Sequence, residues 1–326
     1  MGRGFTEMRR GSPLTGLHGK NIITKKEWAN RSKIAMMAMP GRTLLAQEAR
    51  SFLCVFFIPS GEVPMSEIKI TVERRGHVLL MGLNRPDKMN AFDVEMYREL
   101  SAALGELHRD GELRCGLLFA HGKHFTAGLD LPQWAPFFSE ARFPDLPPGA
   151  CDPFGLDEGK RVGKPVVMAA QGICYTIGLE LMLAMDIRVA ASDVRFGQIE
   201  VRRGIYAVGG ATVRLHREIG WGNAMRYLLT ADEIDAGEAL RLGLVQELTE
   251  PGRQFDRALE IAEKVSRQAP LGVQASLASA RRARSEGDRA AIARLLPDLV
   301  PIMASDDAAE GVRSFIERRE ARFKGR

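Results

Sequence analysis

Glu180 lies in the stretch QGICYTIGLELMLAMDIRVAAS (171–192), two residues after Gly178, and Ile173 to Met185 is otherwise free of charge. Burying a carboxylate is costly unless the group is paired or used, because desolvation disfavours its charged form. Two strand-like runs end in loops that run into helices: FTAGLDL after residues 115–120 and QGICYTIGLEL after 165–172. A backbone N–H at a helix N-terminus is an unpaired donor at the positive end of the dipole. Two such loops facing one point would stabilise a developing oxyanion. Other chemistry-bearing residues nearby read more plainly. His121 and His124 form an HxxH in a loop without a third ligand, which is weak as a metal site. Cys174 has no activating neighbour in sequence and reads as a small buried thiol.

These loops need a scaffold. IKITVE and HVLLMGL flank the turn Arg74-Arg75-Gly76 and predict a hairpin. NRPDKMNAFD reads as a loop, with Asp93 able to cap the amphipathic run VEMYRELSAALGELHRD. Strands are expected at Cys115–Ala120, Pro165–Gly172 and Asp186–Ala191, with a helix from near Ile177. Residues 143–155, dense in Pro, Gly and Asp, read as loop and as a candidate lid. Beyond Gly209 nearly everything has helical periodicity. Strands early and helices late imply an α/β core with a helical C-terminal lobe.

Composition narrows the function classes. With 326 residues, 45% apolar and 27% charged, the chain suits a soluble globular protein. The net charge of +5 comes from the head: residues 1–64 hold ten Lys/Arg against four acids, so the body is about neutral and no nucleic-acid partner is expected. The longest apolar run of the head, FLCVFFIP (52–59), falls far short of the roughly 20 residues of a membrane helix. Four scattered cysteines suggest neither a zinc site nor a disulfide framework, which fits a reducing cytoplasmic setting. Residues 1–64 read as a basic, loosely ordered extension, with a transit peptide as the alternative. Met65 reads as the natural start.

LNRPDKMNAFD (83–93), KHFTAGLDL (123–131), QGICYTIGLEL (171–181), RFGQIEVRRGIYAVGGATVRL (195–215) and SDDAAEGVRSFIERREARFKG (305–325) occur in that order. Together they resemble the enoyl-CoA hydratase/isomerase (crotonase) superfamily over residues 66–325. The resemblance implies a crotonase-like (ClpP/crotonase) α/β fold of repeated strand-strand-helix turns over 65–265, with 266–326 as a helical oligomerisation lobe in a homotrimer or dimer of trimers. It implies that Leu129 and Ile177 donate backbone N–H groups to a thioester oxygen, so only proline is excluded there. Glu180 would hold and activate water, while Glu200 exchanges a proton beside the carbonyl. CoA would lie along Lys88, Met89, Ala91, Ala127, Gly128, Asp130 and Leu131, with Tyr175 and Gly178 beside the acyl group. No cofactor and no metal are implied, since coenzyme A enters as part of the substrate.

The chain departs from that pattern where many relatives have three glycines, carrying Thr176, Ile177 and Gly178 after Tyr175. The bulk of Ile177 and Tyr175 is expected to narrow the cleft. Val208 stands where dienoyl-CoA isomerases carry an aspartate, which weighs against that reaction. The expected activity is reversible hydration of a 2-enoyl-CoA to a 3-hydroxyacyl-CoA. An enoyl-CoA isomerase, or a non-catalytic CoA- or RNA-binding relative, is the alternative. The blander readings are that Glu180 pairs with Arg188 or Arg214 for structure alone, and that Glu200 joins Arg202 and Arg203 in a solvated cluster.

Overall fold

The computed structural model describes residues 68–326; the readings of residues 1–64 and of Met65 as the start lie outside that range. The predicted hairpin forms, β1 (Ile70–Arg75) pairing antiparallel with β2 (Val78–Leu83) around Gly76, whose φ is 57°. The other strands of the main sheet are β3 (Cys115–Ala120), β4 (Val166–Ala170), β6 (Ile187–Ala191) and β9 (Glu247–Thr249). The order is β1-β2-β3-β4-β6-β9, and every pair beyond the hairpin is parallel. A parallel sheet must be covered on both faces, so its strands read as apolar runs. Val78, Leu80, Leu117, Val167 and Ala169 pack on one face with Ala258 and Ala262 of α7 (Gln254–Ser266). Leu79, Met81, Leu118 and Met168 join the larger core on the other.

A second, smaller sheet contains β5 (Ile173–Tyr175), β7 (Arg195–Gly197) and β8 (Ile234–Asp235). A parallel bridge between Thr126 and Cys174 attaches the FTAGLDL loop to it. Successive turns thus give one strand to each sheet and then a helix: β4, β5 and α3 (Ile177–Ala184), then β6, β7 and α4 (Ala211–Ile219). This is the strand-strand-helix repeat that the resemblance implies. The first turn adds α1 (Val94–Arg109), capped by Asp93, whose carboxylate accepts the Met96 N–H at 2.9 Å. The loop after β3 runs into a helix as expected, α2 (Leu131–Ser139).

After α4 come α5 (Trp221–Thr230) and α6 (Ala236–Arg241), and the chain ends in three helices beyond α7: α8 (Pro270–Glu286), α9 (Asp288–Met303) and α10 (Asp306–Glu317). Leu296, Val300, Phe315 and Ile316 on these last helices are exposed. Among the described residues no helix is long and apolar enough to cross a membrane. Residues 143–155 form no helix or strand. They are tied down: the Asp152 carboxylate accepts the N–H groups of Phe154, Leu156 and Asp157 at 2.9, 2.7 and 3.1 Å.

Candidate active site

The loop before α2 and the loop before α3 meet at a cavity of about 200 Å³. A β-carbon on Gly128 (φ 119°) would sit 2.6 Å from Thr176 Oγ1, so only glycine permits the loops to approach this closely. The first loop is held by the 83–93 segment. Ala127 donates to the Met89 carbonyl at 3.0 Å, Phe92 donates to the Gly128 carbonyl at 2.8 Å, and Asp130 donates back to Phe92 at 3.0 Å. Asn90 is fully buried, and its amide donates to the carbonyls of His121 and His124 at 2.9 and 2.8 Å. Arg85 pairs with Asp130 at 2.9 Å. Arg85 and Asn90 are therefore positioning residues that the sequence reading passed over; their signal was a polar pair inside a loop dense in turn residues.

Leu129 and Ile177 both line the cavity, and among the described residues neither N–H has a hydrogen-bond acceptor. Ile177 is the first residue of α3, so its N–H lies at the positive end of that helix. The preceding Thr176 takes φ 49° and ψ −110°, a conformation L side chains rarely adopt. Strain of this kind costs on the order of 1–3 kcal/mol and persists where the surroundings over-determine it.

Glu180, one turn into α3, is 3% exposed and lines the same cavity. Its Oε1 accepts the N–H of Ala211, the first residue of α4, at 3.1 Å. The proposed structural partners are engaged elsewhere. Arg188 pairs with Glu218 at 3.1 Å, while Arg214 donates to the carbonyls of Phe154 and Gly155. Burial pushes the Glu180 carboxyl up to about 8, with the Glu200 charge adding to the rise and the Ala211 and Gly209 N–H groups opposing it. Glu200 opens a 3-10 turn (Glu200–Arg203), is half-buried on the same cavity and is also raised by desolvation. Two carboxyls held above their usual range in one apolar cleft can supply an acid and a base near neutral pH.

The other expected residues divide. Ala127, Gly128 and Leu131 line the cavity; Lys88, Met89, Ala91, Asp130, Tyr175 and Gly178 do not. Lys88 and Met89 are exposed on the neighbouring loop. Tyr175 does not narrow the cleft as expected, because its hydroxyl donates to the Glu233 carboxylate. Gly178 serves packing: a β-carbon there would meet Thr126 Cγ2 at 2.6 Å and Cys174 Sγ at 3.0 Å. The candidate lid at 143–155 contributes no lining residue, and the wall is made instead by Leu131 and Phe138 of α2 with Arg203, Ile205 and Tyr206. Val208 does line the cavity, so the position where dienoyl-CoA isomerases carry aspartate faces the site and holds no acid.

The remaining candidates have structural partners. His121 Nε2 lies 2.8 Å from Thr71 Oγ1, and His124 Nδ1 accepts the Ile173 N–H at 3.1 Å. Cys174 is wholly buried, and burial raises its thiol well above the usual range. Among the described residues no group of three His, Cys, Asp or Glu could hold a metal ion.

Comparison with known proteins decides the family. A family profile described as Enoyl-CoA hydratase/isomerase matches residues 73–326. The chain belongs to the enoyl-CoA hydratase/isomerase family. It is 36% identical to the enoyl-CoA hydratase EchA19 of Mycobacterium tuberculosis over 258 residues, covering 78% of this chain and 96% of the relative. It is 33% identical to the short-chain-enoyl-CoA hydratase of Clostridium acetobutylicum, covering 79% and 98%. The crystal structure of a probable enoyl-CoA hydratase/isomerase from Mycobacterium abscessus superposes with a TM-score of 0.76 at 48% identity, covering 79% of this chain and 99% of the other.

Proposed function

We propose that the chain is an enoyl-CoA hydratase, adding water reversibly to a 2-enoyl-CoA to give a 3-hydroxyacyl-CoA. The observation that carries this reading is that Glu180, Glu200, Leu129 and Ile177 all line one cavity. Hydratase relatives at 33–36% identity support it. The thioester oxygen takes the N–H groups of Leu129 and Ile177, each such donor being worth about 3 kcal/mol to the enolate. The pair shares one proton; in the reactive arrangement it sits on Glu200, and Glu180, as carboxylate, takes a proton from water as the water oxygen bonds to C3. Glu200, as carboxylic acid, delivers a proton to C2. One proton has passed from Glu200 to Glu180, and its return resets the pair. The reading requires no cofactor or metal, coenzyme A arriving with the substrate along the 88–91 and 127–131 segments. The exposed apolar faces of α9 and α10 support assembly into a homotrimer or a dimer of trimers.

The test follows the enoyl-thioester absorbance of crotonyl-CoA and longer 2-enoyl-CoAs. The wild type removes it, and Glu180→Gln and Glu200→Gln each slow turnover by about 10²–10⁴-fold. Persistence of the absorbance with every enoyl-CoA would sink the hydratase reading. Isomerisation of 3-enoyl-CoAs surviving in Glu180→Gln would point to an isomerase that uses Glu200 alone.

A further inference from the structure

A separate cavity of about 70 Å³ is lined by five arginines: Arg161, Arg214, Arg217, Arg281 and Arg284. They come from three places in the chain: the loop before β4, helix α4 and helix α8. Among the described residues Glu158 is the only carboxylate on the lining, and its contact with Arg161 is 3.7 Å long and 62% exposed on the acid's side. The other acids nearby are already committed. Asp186 pairs with Arg281 at 2.9 Å, and Glu218 is shared between Arg188 and Arg284 at 3.1 and 2.9 Å. Arg214 spends its donors on two carbonyls, and Arg281 Nε is buried without a partner. Arg161 has no hydrogen-bond acceptor among the described residues, although its side chain is only 18% exposed.

We propose that this arginine cluster binds a phosphate-class oxyanion. The cavity is the size of one such group, too small for a nucleotide body. Planar guanidinium forks present several parallel donors, which match an anion with three or four acceptor oxygens better than a single carboxylate. Burial and the charges of Arg281 and Arg214 press the Arg161 guanidinium down to about 10, a cost that a bound dianion relieves. The site does not depend on the hydratase reading, since none of its residues lines the cavity that holds Glu180 and Glu200.

The test is thermal unfolding and calorimetric titration of the full chain with inorganic phosphate, against sodium chloride at equal ionic strength. Phosphate raises the wild-type Tm beyond the chloride control. Arg161→Gln abolishes that increment and unfolds at or above the wild-type temperature in chloride, because it removes a repelled charge; enoyl-CoA turnover is unchanged. Arg217→Gln, at the exposed rim, weakens phosphate binding by about tenfold. Adenosine 3′,5′-bisphosphate, the phosphate-bearing end of coenzyme A, distinguishes the source: tighter Arg161-dependent binding than inorganic phosphate assigns the site to a coenzyme A phosphate, and equal or weaker binding to free phosphate. A wild type that responds to phosphate no more than to chloride, or two variants that keep the full response, overturns the proposal. So does a lower Tm of Arg161→Gln in chloride, which would mean that an acid already fills the cluster, as from a second copy of the chain.

Discussion

Gly209 leaves the space that the Glu180 carboxylate occupies. A β-carbon on Gly209 would lie 2.6 Å from Glu180 Oε2. One backbone position therefore sets where the carboxylate sits. Gly209→Ala is expected to push Glu180 aside by a fraction of an ångström and to lower kcat for crotonyl-CoA by about 10²-fold. KM changes little, because the two N–H donors are untouched. Steady-state kinetics checks this, and an unaltered kcat would remove Glu180 from the chemistry.

Glu180 also carries a pH signature. Its folded carboxyl titrates near 8 against an ordinary value of 4.5, mainly from burial. The folded state thus holds a proton that the unfolded chain releases near its ordinary value. The resulting stability is complete below about pH 4.5 and is lost as pH rises through about 8. Glu180→Gln stays neutral throughout. The variant's Tm minus the wild-type Tm should therefore grow between pH 5 and pH 9, by about 2–4 °C for each kcal/mol. A gap that stays flat or shrinks would show an ionised, paired Glu180.

The legibility of this fold follows from what each part owes to local sequence. β2 to β4 and β6 were readable because buried strands are continuous apolar runs, β1 because its β-rich run precedes the Arg74-Arg75-Gly76 turn, and α1 because Asp93 and a polar face mark its start. The small sheet was hidden: β5 and β7 are three residues each, too short for periodicity to register. Helix α2 was expected after FTAGLDL, but its extent was not readable because LPQWAPFFS carries two prolines. At the site, Glu180 stood out as a charge in an apolar run, and ordered motifs supplied Glu200, Leu129 and Ile177. The direction of Tyr175 was not readable, since its partner Glu233 lies 58 residues away.

Thr176 gives a prediction about strain. At φ 49° and ψ −110° a β-carbon is penalised, so glycine should outperform alanine there. Thr176→Gly is expected to be more stable than Thr176→Ala by about 1–2 kcal/mol, the reverse of their order in ordinary backbone. The Ile177 N–H survives in both variants, so Thr176→Gly should retain turnover. Urea midpoints give the comparison, and the ordinary order, alanine above glycine, would show that the loop relaxes at no cost.

Ile177 and Tyr175 separate two ideas of acyl selection. Ile177 lines the cavity and is 2% exposed, whereas the Tyr175 hydroxyl donates to Glu233, which also pairs with Arg195 at 3.3 Å. Ile177→Ala widens the cleft while keeping the backbone donor. It should raise the ratio of long-chain to crotonyl-CoA kcat/KM by about tenfold. Tyr175→Phe removes one partly exposed hydrogen bond, costs about 1 kcal/mol of stability or less, and should leave that ratio within about twofold of wild type. The decisive measurement is kcat/KM over a series of 2-enoyl chain lengths for both variants. A shift caused by Tyr175→Phe and not by Ile177→Ala would relocate acyl selection to the Tyr175 side of the small sheet.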